Sequence, residues 1–170
     1  MSDIPGTLAS SVTETIGGDT VEMSPLDLKD LGTLERQALK YYKENTVQSF
    51  VEMAKLYLPE ETRAAAIRET IDKIAFMDID SLPEKEHEVA EPDGNGGVSI
   101  RKQKIPWAAW WMQRTFDGML HFVWLSARKK RPGLSYDECA KLITIGGGQE
   151  RLGELAKTVD DISQPAILGN

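Results

Sequence analysis

Few residues in this 170-residue chain have types that do chemistry: two histidines, His87 and His121, and one cysteine, Cys139. They give no metal-ligand spacing. His121 lies one helical turn beyond Asp117, the separation of a charge-assisted pair. As a catalytic dyad that pair needs a nucleophile, and Ser126 falls on another face, so it reads as an ordinary helix contact. His87 sits among acids and reads as solvated. Gly146-Gly147-Gly148 precedes a helix, but no Lys-Ser/Thr pair follows it and Glu150 would repel an anion. It reads as a helix connection, not a phosphate loop. The acids between Asp78 and Asp93 lack the ligand alternation of a calcium loop. Arg128, Lys129, Lys130 and Arg131 could touch phosphate, but four cations at a helix C-terminus first suit the helix dipole. These residues predict no enzyme, no cofactor, no metal and no small-molecule substrate.

The tryptophans carry the sharper hypothesis. Trp107, Trp110 and Trp111 cluster just before Trp124. Aromatic residues at helical spacing usually form core. At the edge of an element, beside a loop, they also resemble a partner-binding groove, because such side chains dominate interface hot spots. Trp107, Trp110, Trp111 and Met112 are therefore the candidate partner-binding residues.

The elements that must position them are helical. From Phe116 the apolar residues fall on two stripes: Phe116, Leu120, Val123 and Ala127, then Met119, Phe122 and Leu125, with Trp124 between. A helix apolar on most sides is packed on most sides. The fold class is mainly α: a single-domain bundle of about five to six helices around a central buried helix at about 113–131. Thr20 to Met23 and Ser11 to Ile16 alternate around Gly17-Gly18-Asp19 and predict a small N-terminal β-hairpin. Ser24-Pro25-Leu26-Asp27 predicts a helix start capped by Ser24, with Asn45-Thr46 ending that helix and capping the next. Pro59-Glu60-Glu61 opens a third helix that ends near Met77. Ser135 and Glu138 make a capping box, and a last helix runs from about Gln149 to Ser163-Gln164-Pro165. The predicted organisation is a mobile N-terminus plus hairpin at 1–23 (Met1 to Gly6 the mobile part), a helical domain at 24–165, and a tail at 166–170. The domain is interrupted at about 78–104 by a mobile acidic, glycine-containing loop, with at most a brief strand at Val98-Ser99-Ile100.

Composition bounds the partners. The net charge is −7, with 41% hydrophobic and 28% charged residues, a soluble globular balance. That sign argues against sequence-independent nucleic-acid binding. One cysteine makes no internal disulfide and suits a reducing cytosol. No secretory leader is expected, and Arg114, Asp117 and His121 interrupt the one candidate membrane span.

Two stretches together resemble the tail assembly chaperone-like proteins of tailed bacteriophages. Val21-Glu22-Met23-Ser24-Pro25-Leu26-Asp27-Leu28-Lys29-Asp30-Leu31 resembles their strand running into (S/T)-P-L-(T/D)-L-x-D-L. Asp117-Gly118, then Val123-Trp124-Leu125-Ser126-Ala127-Arg128-Lys129 and Pro132-Gly133-Leu134-Ser135-Tyr136-Asp137-Glu138 resemble a second signature of the same group. The likeness spans most of residues 20 to 160, although the acidic segment 78–104 is longer than that group's pattern. It implies a non-enzymatic chaperone in the host cytoplasm that binds the tape-measure protein, and in some members tail-tube subunits, before the tube polymerises. A structural tail or connector subunit is the alternative, and a helical DNA-binding regulator using Arg128 to Arg131 a more distant one. Oligomeric state is not readable from the sequence.

Overall fold

A computed structural model describes residues 11–92 and 97–168, with side chains through Gln164. The expected mobility of Met1 to Gly6, residues 93–96 of the expected acidic loop and the end of the predicted tail lie outside the described residues. The fold is mainly α. Its elements are β1 (Val12–Ile16), β2 (Asp19–Met23), α1 (Leu28–Tyr57), α2 (Glu60–Ala75), β3 (Lys85–Pro92), β4 (Val98–Ile105), α3 (Trp107–Arg114), α4 (Phe116–Arg128), α5 (Tyr136–Ile145) and α6 (Gly148–Leu168). By compactness they form two units: the described residues of 1–34 with 111–170, and those of 35–110. Each unit is compact by itself.

The first unit holds the main core. Strands β1 and β2 pair antiparallel, Ile16 opposite Asp19. Gly17 and Gly18 take φ of 59° and 91°, the two positive values that a tight hairpin turn of matching twist requires. A β-carbon on Gly17 would stand 2.7 Å from the Leu142 carbonyl oxygen, so glycine lets the turn seat on the end of α5. Ile16, Val21 and Met23 from the hairpin join Leu120, Val123, Ile143, Leu152, Leu155 and Val159 in one apolar cluster. Both apolar stripes of α4 contribute buried residues, Leu120, Val123 and Ala127 from one and Met119 and Phe122 from the other, while Asp117, His121, Trp124 and Leu125 are half-buried.

The central helix begins later than expected. Trp107 to Arg128 forms two helices, because Thr115 leaves the helical conformation and its hydroxyl oxygen accepts the Gly118 N–H. The helix start after β2 is also shifted. Asp27, not Ser24, caps α1: its carboxylate accepts the Lys29 and Asp30 N–H groups while Asp30 accepts the N–H of Asp27. Ser24 is instead buried, its carbonyl accepting the Ser126 hydroxyl at 2.7 Å. The Ser135–Glu138 capping box is present. Helix α6 continues past the predicted stop to Leu168, because Ser163 turns inward: its hydroxyl donates to Val159 and accepts the Leu26 N–H.

In the unit of 35–110, α1 runs unbroken through Asn45-Thr46. The Asn45 amide donates back to the Tyr41 carbonyl, four residues earlier, and caps nothing. Arg63 on α2 closes the turn between α1 and α2 by donating to the carbonyls of Ala54, Lys55 and Leu58 at 3.2–3.3 Å, at the helix end where carbonyls run short of backbone donors. Lys43 does the same for Ala75 at the end of α2. The described residues of 78–104 form regular structure where a loop with at most a brief strand was expected: a 3-10 turn over Ile79–Ser81, then β3 and β4 paired antiparallel. Charged residues occupy both faces of this ribbon, which removes the apolar–polar alternation by which a strand is recognised.

Candidate functional site: an apolar groove beside the central helix

The tryptophan group does not gather on one surface. Trp107 is 6% exposed and belongs to the unit of 35–110. Its ring meets Tyr42 edge-on at 5.2 Å, Tyr41 at 6.1 Å and Trp110 at 6.0 Å. Trp110 is half-buried, with the Lys85 ammonium 5.3 Å from its ring centre. Trp111 belongs to the other unit, is 1% exposed and packs on His121 at 5.5 Å. Trp107 and Trp111 are thus occupied inside the protein. Of the four candidate residues, Trp110 and Met112 keep accessible surface.

Met112 opens onto a groove of the first unit. Leu31 from the first turn of α1, Met112 from α3, Met119 and Phe122 from α4, and Ala156 from α6 line a cleft of about 330 Å³. Gly153, one turn before Ala156, leaves the α6 side open: a β-carbon there would meet nothing within 4 Å. Gln113, Lys157 and Asp160 supply the polar rim. Two methionines give the lining soft side chains that adapt to varied shapes. Polar groups ring the cleft without converging inside it, which suits the apolar stripe of a helix better than a small polar ligand. The sequence signal for this groove, Gly153 and Ala156 interrupting a stripe of larger residues, has meaning only once α6 is set beside Met112 and Met119.

The Asp117–His121 pair takes another form. The Asp117 carboxylate accepts the Tyr136 hydroxyl at 2.6 Å, and His121 Nδ1 lies 2.9 Å from the Asp117 backbone carbonyl. The imidazole packs 4.3 Å from the Tyr136 ring. Burial, then the hydrogen-bonded carboxylate, pushes the Tyr136 phenol well above its ordinary range. Trp124 donates its indole N–H to the Leu134 carbonyl at 2.9 Å. Asp117 therefore anchors α5 on α4 and is not paired with the imidazole.

The cations after α4 are all engaged. Arg128 lies 5.0 Å from the Trp124 ring centre, Lys129 pairs with Asp30 at 2.5 Å, Lys130 with Glu22 at 3.1 Å and Arg131 with Asp19 at 3.5 Å. These contacts tie α4 to β2 and the start of α1 and neutralise much of the basic patch that a DNA-binding reading needs. Gly147 and Gly148 have φ of 129° and 65° and turn the chain from α5 into α6. Among the described residues, no group of three His, Cys, Asp or Glu is placed to hold a metal ion. Among them, too, no helix is long and apolar enough to cross a membrane.

The chain matches no family model, no curated protein and no solved structure.

Proposed function

We propose that this chain is a non-enzymatic binding protein that holds an amphipathic helix of a partner, acting as a tail assembly chaperone for a bacteriophage tape-measure protein before tube polymerisation. The observation that carries the reading is the apolar groove at Met112, Met119 and Phe122 with its polar rim. A tape-measure protein is a long helical chain whose apolar stripes aggregate when uncovered. A groove of this kind takes side chains spaced one helical turn apart, while Lys157 and Asp160 at the rim can pair with the client's flanking charges. The net charge of −7 keeps such a complex dispersed. The class of client rests on the resemblance of Val21–Leu31 and Asp117–Glu138 to the chaperone group; the place of binding rests on the groove.

Co-expression with the tape-measure protein tests the proposal. A soluble complex is expected, and Met112→Glu, which puts a charge into a half-exposed apolar site, should reduce its yield at least tenfold while the chain stays folded. Unchanged tape-measure solubility, or capture indifferent to Met112→Glu, would remove this reading. Trp111→Ala is a poor test because that ring is buried and its loss unfolds the core. Mass spectrometry of purified virions separates the chaperone from a structural subunit: the chaperone is absent, the subunit stoichiometric.

A further inference from the structure

The ribbon β3–β4 is a two-stranded sheet, and no other strand among the described residues pairs with either outer edge. Open edges present alternate N–H and C=O groups to solvent and invite another strand. The charges on the two strands are separated by sign. Strand β3 carries Glu86, Glu88 and Glu91 against one lysine, Lys85; β4 carries Arg101, Lys102 and Lys104 and no acid.

The register sets Glu86 opposite Lys104 and Glu88 opposite Lys102. Among the described residues of this segment, the ion pair formed is nevertheless Lys104 to Glu84, at 3.9 Å and exposed on both sides. The charges of both strands therefore stay available outward. On the face that Glu86, Glu88, Lys102 and Lys104 share with the cross-strand pairs Ala90–Ile100 and Pro92–Val98, Ile100 and Val98 are each 69% exposed. An apolar strip thus continues to the free edge of the basic strand.

We propose that the occupant of these edges is a second copy of this chain, the acidic β3 edge of one copy pairing with the basic β4 edge of the next. The complement is built into one ribbon, so each copy offers one edge of each kind. The contact is head-to-tail, and it propagates as a ring or an open filament instead of closing as a two-fold dimer. Opposite charges across the junction favour this pairing, and like charges disfavour β3 on β3 or β4 on β4. The proposal uses residues of the 35–110 unit alone and is independent of the groove.

Sedimentation of the full chain over a range of concentrations tests it. Association is expected at about 0.05 M salt and should be lost near 1 M, where the screening length shrinks to about 3 Å. The triple variant Arg101→Glu/Lys102→Glu/Lys104→Glu should be monomeric, as should Glu86→Lys/Glu88→Lys/Glu91→Lys. Mixed together, they restore edges of opposite charge, the native β3 edge of the first facing the native β4 edge of the second, and should associate. Circular dichroism checks that both variants are folded; if either is not, the salt dependence of the unaltered chain decides. A native chain that stays monomeric at low salt, association that survives high salt or either triple change, or folded variants that fail to combine would each overturn the proposal.

Discussion

A β-carbon placed on Gly118 would stand 2.0 Å from the carbonyl oxygen of Trp111. At the break between α3 and α4 the chain brings Gly118 so close to the Trp111 and Met112 backbone that only a hydrogen fits at this position. Thr115 makes the break by capping Gly118 and donating its hydroxyl back to Trp111 at 2.8 Å. Gly118→Ala forces backbone apart from backbone. It should cost about 3 kcal/mol or more, read as a fall in the denaturant midpoint with an unchanged slope.

Tyr136→Phe removes the donor to the Asp117 carboxylate while keeping the ring that packs on His121. A hydrogen bond to a charged group contributes about 1.5–3 kcal/mol, and the variant should lose that much at neutral pH. The alkaline limb gives an independent reading. The native phenol is held above the ordinary value of 10.0 by burial and by Asp117, so above that pH the unfolded chain gives up a proton that the native chain keeps. Stability therefore falls as pH rises through this range, and the fall should be shallower in Tyr136→Phe.

Cys139 sets an earlier part of the same limb. Burial pushes its thiol from 9.0 up to about 11. Below pH 9 both states hold the proton and nothing is lost; between about 9 and 11 the unfolded chain ionises first, and stability declines by on the order of 2–3 kcal/mol. Cys139→Ala should flatten chemical-denaturation midpoints over that window. Thiol-modifying reagents should label the native chain slowly and the unfolded chain at once.

Much of this architecture was legible in residue order because local chemistry and tertiary packing agree. Gly17-Gly18 makes a tight turn between alternating strands, Ser135 and Glu138 cap reciprocally, and the apolar residues of α4 leave only Phe116 and Arg128 of that helix exposed. The misreadings share a cause: a local signal with two physical outcomes. Asn45-Thr46 offers a cap, yet an asparagine amide can also bond back along its own helix, and here it donates to the Tyr41 carbonyl. Thr115 looks like one more helical position until Gly118 is seen to allow the close approach. The ribbon β3–β4 is organised by charge sign across strands, a pattern visible only after the register is known. Of the candidate site, Met112 was legible and the groove was not, since Leu31, Met119 and Ala156 come from three other helices.

Ser163 shows the same division between local and distant roles. Its hydroxyl accepts the Leu26 N–H at 2.9 Å across 137 residues of sequence, holding the segment between β2 and α1 on α6. Ser163→Ala leaves that buried donor unpaired and should cost about 1–3 kcal/mol. Hydrogen exchange gives the sharper check, because the Leu26 amide should lose protection while amides in β1 keep theirs relative to the global stability.

Gly153 separates the groove from the fold. It lies inside α6, where glycine costs roughly 1 kcal/mol against alanine, and a β-carbon there meets open space. Gly153→Ala should therefore raise the denaturant midpoint by up to about 1 kcal/mol and leave client capture nearly unchanged. Gly153→Phe places a ring where the client's side chains would sit. It should abolish capture in the co-expression assay while the chain remains at least as stable as a Gly153→Ser control. Loss of capture and of stability together would assign Gly153 to the core; loss of capture alone assigns it to the binding surface, and capture by the phenylalanine variant would place the client elsewhere.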